Sequence, residues 1–320
     1  MFAQPLSCRR HKQDVTIERM QKSGQSLKER TAPGRTWKSA FDGKAFMQAR
    51  EFLREHVRAT REKHFGRTSE AEIDAICDAW MNDESNSRHR YDEMQKVIGS
   101  KLKECTILDV SSGCGTFVFY GLLNGYKVYG MEPESWKHEF NRLKAEERCY
   151  PKEWMSMFVA AVAEQMPFAN DSFDIVSTYQ TLEHVQDHKK CFAEFTRILK
   201  PGGALFMRFP DYRSTFEPHY RVPMLPLMNR SLMRLYLRFL RKPILGIDTI
   251  NYITQDRAIS VLKDDFEIVD LRLEGPYNKI RNRFGLRSTF LAKLSLILDC
   301  LNRAFRREVP VILVGIKRRT

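Results

Sequence analysis

Two short stretches near the middle of the chain hold residue types that could grip a nucleoside. Asp109-Val110-Ser111-Ser112-Gly113-Cys114-Gly115-Thr116 closes a β-rich run and opens a helical one. Glycines at 113 and 115 let the backbone turn tightly and approach a bound molecule, and the first turn of the following helix offers N–H groups that have no partner within it. A second run ends in Gly130-Met131-Glu132-Pro133, with the acid about 20 residues beyond the glycines, where a carboxylate accepts hydrogen bonds from both hydroxyls of a ribose. Either stretch alone suits an ordinary strand-to-helix turn, and the pairing of the two is what points to a nucleoside.

Two kinds of cofactor fit the pair. A dinucleotide calls for Gly or Ala where Val118 stands, and its pyrophosphate would lie near Asp109. S-adenosylmethionine has no phosphate and carries a sulfonium and an amino group, for which a nearby carboxylate is favourable. The residues lean toward the second.

The elements that must position these residues follow a clear alternation. Short β-rich runs at Ile107–Val110, Lys127–Met131, Met157–Ala161, Phe173–Ser177 and Ala204–Arg208 are separated by helical stretches at Phe117–Asn124, Glu134–Glu147 and Lys189–Lys200, the last stopped by Pro201-Gly202-Gly203. Such alternation predicts a parallel sheet covered on both faces, with ligands at the carboxyl ends of its strands. Upstream, apolar residues from Ala45 to Phe65 recur at helical spacing. A second helix is expected after the cap Ser69 and a third over Arg88–Gly99. Residues 1–43 are polar and broken by Pro5, Gly24, Pro33, Gly34 and Gly43, the pattern of a mobile arm.

The 320 residues include 53 Lys or Arg against 40 Asp or Glu, a net charge of +13, and 42% hydrophobic side chains, enough for a large core. Seven scattered cysteines without a C-x-x-C pair argue against a disulfide framework or a structural zinc site. The first 20 residues contain no signal-peptide core, and no run reaches the ~18 apolar residues of a membrane span, so a cytoplasmic setting is expected.

Six ordered stretches carry a family resemblance: Ile107-Leu-Asp-Val-Ser-Ser-Gly-Cys-Gly115, Val128-Tyr-Gly-Met-Glu-Pro133, Ala163-Glu-Gln-Met-Pro-Phe168, Ser172-Phe-Asp-Ile-Val176, Leu182-Glu-His-Val185 and Ile198-Leu-Lys-Pro-Gly-Gly203. Over residues 106–209 the chain resembles a class I S-adenosylmethionine-dependent methyltransferase of the type 11 group, which includes quinone-biosynthesis enzymes. The resemblance implies a Rossmann-like, doubly wound α/β sheet of seven strands, the last antiparallel. The three helices expected upstream would form a cap over 44–100, ahead of a methyltransferase domain over 101–320. The resemblance also implies that Gly113 and Gly115 line the methionine moiety, Asp109 orients its amino end and Glu132, followed by Pro133, holds the ribose. Ala163 would offer its backbone to adenine, and Tyr179 with Gln180 would border the methyl group. Two positions depart from the family pattern, Ser111 where Gly is frequent and Val162 where Asp is common.

Methyl transfer to an activated carbon mainly needs alignment, and a base only where the acceptor must lose a proton. His184, His219 and Asp211 are the candidates for that base. His184 and His188 are spaced like metal ligands, but Asp187 reads better as a helix cap and no metal is expected.

Basic residues concentrate in the flanks. From Pro218 to Ile247 there is no acid, while Arg221, Arg230, Arg234, Arg238, Arg241 and Lys242 alternate with leucines, methionines and aromatics. This predicts a basic helical lid over about 212–260, with a cationic amphipathic helix starting near Asn229, and a similar basic insertion over about 276–308. A solvated lid, a surface resting on anionic membrane and a nucleic-acid surface compete, the last least favoured because bulky aliphatics stand where exposed stacking aromatics would be needed. The reading that unites these features is O-methylation of a small or lipid-linked acceptor, a cell-surface saccharide or a quinone-like ring. The competing class is a catalytically inactive adaptor that docks on anionic membrane or nucleic acid through its flanks.

Overall fold

The computed structural model of the chain describes residues 48–85, 87–214, 216–273 and 310–319. The expected arm over 1–43 and the basic insertion over 276–308 lie outside them. Three helices come first: α1 (Ala49–His64), α2 (Glu70–Met81) and α3 (Ser87–Ile98). Then follow β1 (Thr106–Val110), α4 (Thr116–Leu123), β2 (Lys127–Met131), α5 (Ser135–Glu147), β3 (Phe158–Val159), β4 (Phe173–Tyr179), α6 (His188–Ile198) and β5 (Leu199–Pro210). A hairpin of β6 (Phe216–Glu217) and β7 (Val222–Pro223) leads to α7 (Arg230–Phe239), α8 (Leu245–Asp248) and α9 (Gln255–Leu262). The sheet is completed by β8 (Phe266–Leu273) and β9 (Pro310–Lys317).

Seven strands form one sheet in the order β3-β2-β1-β4-β5-β9-β8. The first five pair in parallel, and β9 runs antiparallel to both β5 and β8. The sheet reverses its order of winding at β1 and β4, so the crevice at their carboxyl ends is where a ligand belongs. This is the Rossmann-like sheet with an antiparallel last strand that the sequence led us to expect.

Two boundaries differ. The helix expected to reach Lys200 ends at Ile198, and Leu199 already pairs with Phe173, so Pro201-Gly202-Gly203 lies within β5 instead of stopping a helix. The strand expected over 157–161 keeps only Phe158 and Val159, because a 3-10 turn occupies Lys152–Met157.

Alternation along the strands decides what faces each layer. Leu108, Val110, Val176, Leu205 and Met207 join a cluster with Phe192 and Phe195 of α6, whereas Ile107, Ile175 and Phe206 join Tyr91 and Met94 of α3 and Phe117 of α4. Asp109 and Ser177 share the parity of Ile107 and Ile175, so they stand on the side that α3 covers.

The N-terminal helices roof the glycine loop. Ala49, Leu53 and Val57 of α1 and Ile73 and Cys77 of α2 cluster with Cys114 and with Phe140 of α5. On the outer side Arg50, Arg54 and Arg58 of α1 pair with Asp74, Asp78 and Glu70 of α2. Ser69 accepts from the Glu72 amide while the Glu72 carboxylate reaches back to the Ser69 amide, a capping box that starts α2 where the sequence placed it. Lys144 of α5 is fully buried and donates to Asp83 at 2.5 Å and to the Trp80 carbonyl at 2.9 Å, which ties α5 to the α2–α3 connection.

The lid is part of the main core. Met233 and Leu237 of α7 are buried with Tyr212, Tyr220, Met224 and Met228, while Arg230 donates to the Ile250 carbonyl and Arg234 pairs with Asp248. Asn229 caps α7, accepting from Ser231 N at 2.8 Å.

Candidate active site

Gly113 and Gly115 both lie in the left-handed region, with φ of +56° and +68°, but they serve different ends. A side chain on Gly115 would meet Asn141 Oδ1 and Phe119 Cε2, each at 2.9 Å, so packing alone demands glycine there. Gly113 has nothing within 4 Å of where a side chain would stand, and its open front faces the crevice. Ser111 adopts φ +57°, the conformation that glycine takes with least strain, so the hydroxymethyl group stands where the family pattern has no side chain.

Glu132 is buried at the end of β2 and pinned from three directions. Gly113 N donates to Oε2 at 2.9 Å, and Glu134 N and Lys137 Nζ donate to Oε1, each at 3.2 Å. The carboxylate therefore sets the position of the glycine loop and keeps one lone-pair site, on Oε2, so a ribose diol takes that site and displaces a donor from Oε1. Lys137 was not singled out in the sequence, and its neighbours Glu132 and Glu134 raise its pKa against the opposing effect of burial. Pro133 follows in the same turn, adjoining the Glu134 amide that Glu132 holds.

Asp109 does not stand alone. Arg90 of α3 pairs with its carboxylate and donates to Ser177 Oγ at 2.6 Å. The Arg90 guanidinium lies between two rings, 3.8 Å from the Phe117 centroid and 4.0 Å from the Tyr179 centroid. Burial raises the Asp109 pKa, and Arg90 opposes that rise by charge and hydrogen bond. Nothing in the spacing of residues 87–98 distinguishes Arg90 from the other bases there. Only the strand parity that turns Asp109 toward α3 could have asked for such a partner.

The two residues expected at the adenine are apolar. Val162 is 47% exposed, Ala163 is buried, and the Val162 carbonyl accepts from Gln165 N at 3.2 Å. Tyr179 ends β4 beneath Arg90, and Gln180 follows with φ +56°, its amide donating to the Arg208 carbonyl at 2.8 Å. An open-fronted glycine, a buried carboxylate at the end of β2 and the apolar pair Val162 and Ala163 make up a set of residues that fits S-adenosylmethionine.

Beyond this crevice the three proton-transfer candidates separate. His184 and His219 meet, with ring centroids 5.1 Å apart and edge to face. His184 Nδ1 lies 3.0 Å from the Thr249 carbonyl and His219 Nδ1 2.8 Å from Glu217 Oε1. Burial, followed by the neighbouring His219, pushes the His184 pKa down to about 4, so the ring is neutral at pH 7 although one edge reaches solvent. Glu217 is fully buried and also accepts from Tyr220 N at 2.6 Å, an anchor that the sequence had not marked.

Asp211 is instead engaged by Arg213 N at 2.9 Å, by the Arg213 guanidinium and by Gln255 N at 3.3 Å. Burial would raise its pKa, but Arg213 outweighs it and holds the carboxyl low. Asp187 caps α6 through Lys189 N and Lys190 N, and His188 turns back to the Leu182 carbonyl, so the spaced pair 184/188 is not brought together as ligands.

Phe65, at the end of α1, stacks on His219 at 5.5 Å and meets Tyr220 edge-on at 5.2 Å. A side chain on Gly246 of α8 would strike the His64 carbonyl at 2.4 Å. The cap and the lid thus touch beside the histidines, and Arg221 of the hairpin pairs with Glu72 of α2.

A family model described as a methyltransferase domain matches residues 108–207. The chain is 30% identical over 131 residues to a demethylmenaquinone methyltransferase of Renibacterium salmoninarum, covering 39% of this chain and 52% of that protein. It is 25% identical over 182 residues to a ubiquinone/menaquinone biosynthesis C-methyltransferase of Laribacter hongkongensis, covering 54% and 67%. It is 27% identical over 146 residues to a ubiquinone biosynthesis O-methyltransferase of Pseudomonas putida, covering 42% and 60%. The chain spans about half the length of the first of these curated relatives.

Proposed function

We propose that the whole chain, whose residues 108–207 match a methyltransferase domain, transfers a methyl group from S-adenosylmethionine to an oxygen of a small or lipid-linked acceptor. A cell-surface saccharide or a quinone-like ring has the required chemistry. The cofactor supplies a methyl carbon already activated by its sulfonium. The chain's residues then bind, orient and exclude water. Glu132 takes the ribose hydroxyls, Gly113 admits the methionine portion against the loop backbone, and Val162 and Ala163 face the adenine. Asp109 and Arg90 present both signs of charge to the amino-acid end of the cofactor, which itself carries both. Tyr179 and Gln180 border the transferring carbon, and Ser111 narrows the pocket beside Gly113.

One observation carries the choice of oxygen: His184 and His219 stand together beside the lid, each with its Nδ1 engaged by an acceptor. A pair of imidazoles can help an acceptor hydroxyl shed its proton, whereas a carbon or amine nucleophile needs no such pair to the same degree. Label from methyl-tritiated S-adenosylmethionine should pass to catechol-type or saccharide hydroxyls. His219→Ala should lower kcat at least tenfold while cofactor affinity holds. Transfer confined to carbon or nitrogen acceptors would overturn the oxygen assignment.

We further propose that the lid rests on anionic membrane. Leu232, Leu235 and Phe239 line the outer face of α7, with Leu235 63% and Phe239 82% exposed, and Leu225 and Leu227 in the segment before it are exposed as well. Arg238, Arg241 and Lys242 flank that face in a stretch without acids, a composition suited to a bilayer interface rich in anionic lipid. No helix among the described residues is long and apolar enough to cross a membrane, so the contact proposed is peripheral. The chain should sediment with phosphatidylglycerol-containing vesicles and not with neutral ones. Each buried Leu or Phe contributes about 1.5–3 kcal/mol, so the double variant Leu235→Glu, Phe239→Glu should weaken that partitioning at least tenfold. Equal binding by variant and parent would remove α7 from the account.

A further inference from the structure

We propose that Glu183, His184 and His219 form a binding site for a divalent transition-metal ion of the zinc class, open on the acceptor side. The ligand atoms these three residues offer all lie within 4.8 Å of one another. Around a tetrahedral ion with bonds of about 2.1 Å the ligand atoms stand roughly 3.4 Å apart. Closing the difference takes about an ångström of movement at side-chain ends, which rotamer adjustment supplies without moving a strand.

The backbone holding them is well fixed. Glu183 and His184 sit in the turn between β4 and α6, where His184 N donates to the Thr181 carbonyl at 2.8 Å and the Glu183 carbonyl accepts from Asn251 N at 2.6 Å. His219 comes from the hairpin between β6 and β7, so the ion would tie the lid to the end of the sheet.

The hydrogen bonds behind the histidines are those of metal ligands. The Thr249 carbonyl can only accept, so His184 Nδ1 carries the proton and the lone pair of the neutral ring is on Nε2. His219 is set the same way by the carboxylate of Glu217, which is itself buried and held by the Tyr220 amide. An imidazole that donates from one nitrogen to a carbonyl or carboxylate and coordinates through the other is the usual arrangement around protein-bound zinc. Glu183 supplies a carboxylate that is 1% exposed, while His184 keeps an edge to solvent. Two nitrogens and one oxygen favour zinc, cobalt or iron over calcium or magnesium, and three protein ligands leave a position for an incoming molecule.

The catalytic consequence rests on the methyl-transfer reading. With the ion bound, the imidazoles are ligands and no longer bases; the ion would lower the pKa of the acceptor hydroxyl in their place, and the proton leaves to water. The ionised oxygen forms its new bond to the methyl carbon, and the electron pair of the broken carbon–sulfur bond stays on sulfur, giving S-adenosylhomocysteine. Binding of the ion itself requires neither donor nor acceptor.

The test is a competition titration of the metal-stripped full chain with Zn2+ against a chromophoric chelator, repeated with Co2+ to record its visible absorption bands. One equivalent should bind, and the cobalt bands should report a four- or five-coordinate site. Glu183→Gln and His219→Ala should weaken affinity at least a hundredfold, and Glu217→Gln, which alters only the partner behind His219, about tenfold to a hundredfold. S-adenosylmethionine titration of each variant checks that it is folded and reports on the donor pocket separately. Failure to bind one equivalent of either ion, or affinities unchanged in all three variants, would overturn the site and leave the methyl-transfer reading standing. Ion binding with no cofactor binding would do the reverse.

Discussion

Glu132→Ala is expected to raise the Kd for S-adenosylmethionine by about two to four orders of magnitude in a calorimetric titration of the purified chain. The estimate follows from the loss of two charge-assisted hydrogen bonds to the ribose, each contributing roughly 1.5–3 kcal/mol. The substitution also removes the acceptor for the Gly113 amide and a partner of Lys137, so the loop itself loses an anchor. Glu132→Gln separates the two effects. It keeps the shape and one carbonyl acceptor, and should fall between the parent and the alanine variant. S-adenosylhomocysteine should lose affinity in parallel, because it shares the ribose. Undiminished binding in Glu132→Ala would displace the nucleoside from the end of β2 and with it the whole assignment of the crevice.

Arg90→Met should destabilise the fold by about 3–5 kcal/mol at neutral pH, measured by urea unfolding. Its removal leaves the Asp109 carboxylate buried without its opposite charge. The pH dependence distinguishes this cause from simple loss of packing. Asp109 already has a folded-state pKa raised by burial, and the Arg90 charge is the largest influence opposing that rise. Without it the folded pKa climbs further above the unfolded value. A carboxyl raised in this way favours the folded state below its unfolded pKa and opposes it once pH passes the folded pKa. The deficit of Arg90→Met relative to the parent should therefore shrink as pH falls from neutral toward the ordinary Asp range. A deficit that stays constant across that range would mean that contact with Phe117 and Tyr179, not charge, is what Arg90 provides.

The parts of this molecule that could be read from sequence are those fixed by local rules. The glycine pair, the cap Ser69, the helix start near Asn229 and the Asp187 cap depend on neighbours within four residues, and each appears in the structure at the expected position. The end of α6 was misjudged because β5 begins at Leu199 through pairing with Phe173, and a strand partner 26 residues away leaves no local mark. The same limit hid Arg90 and Glu217. One completes a charge from another layer, and the other sits two residues before the histidine it holds in a segment whose fold is set by the lid. The ligand-like spacing of His184 and His188 yields to the Asp187 cap, as the sequence indicates, and the two rings turn to different carbonyls. His184 and His219 meet only because the hairpin after β5 folds back over the turn after β4.

The helix α1 has sixteen residues and so runs roughly 24 Å. Its buried stripe covers Cys114 beside the glycine loop, and its end, through His64 and Phe65, is wedged against Gly246 and Tyr220 where the lid begins. A helix is stiff along its axis, so the two roofs it touches behave as one lever. Displacing Tyr220 or Gly246 from the end of α1 would therefore be felt at Cys114 as well. On the methyl-transfer reading, donor and acceptor affinities would then be two readings of a single conformational equilibrium, each ligand changing the other's affinity by the same factor.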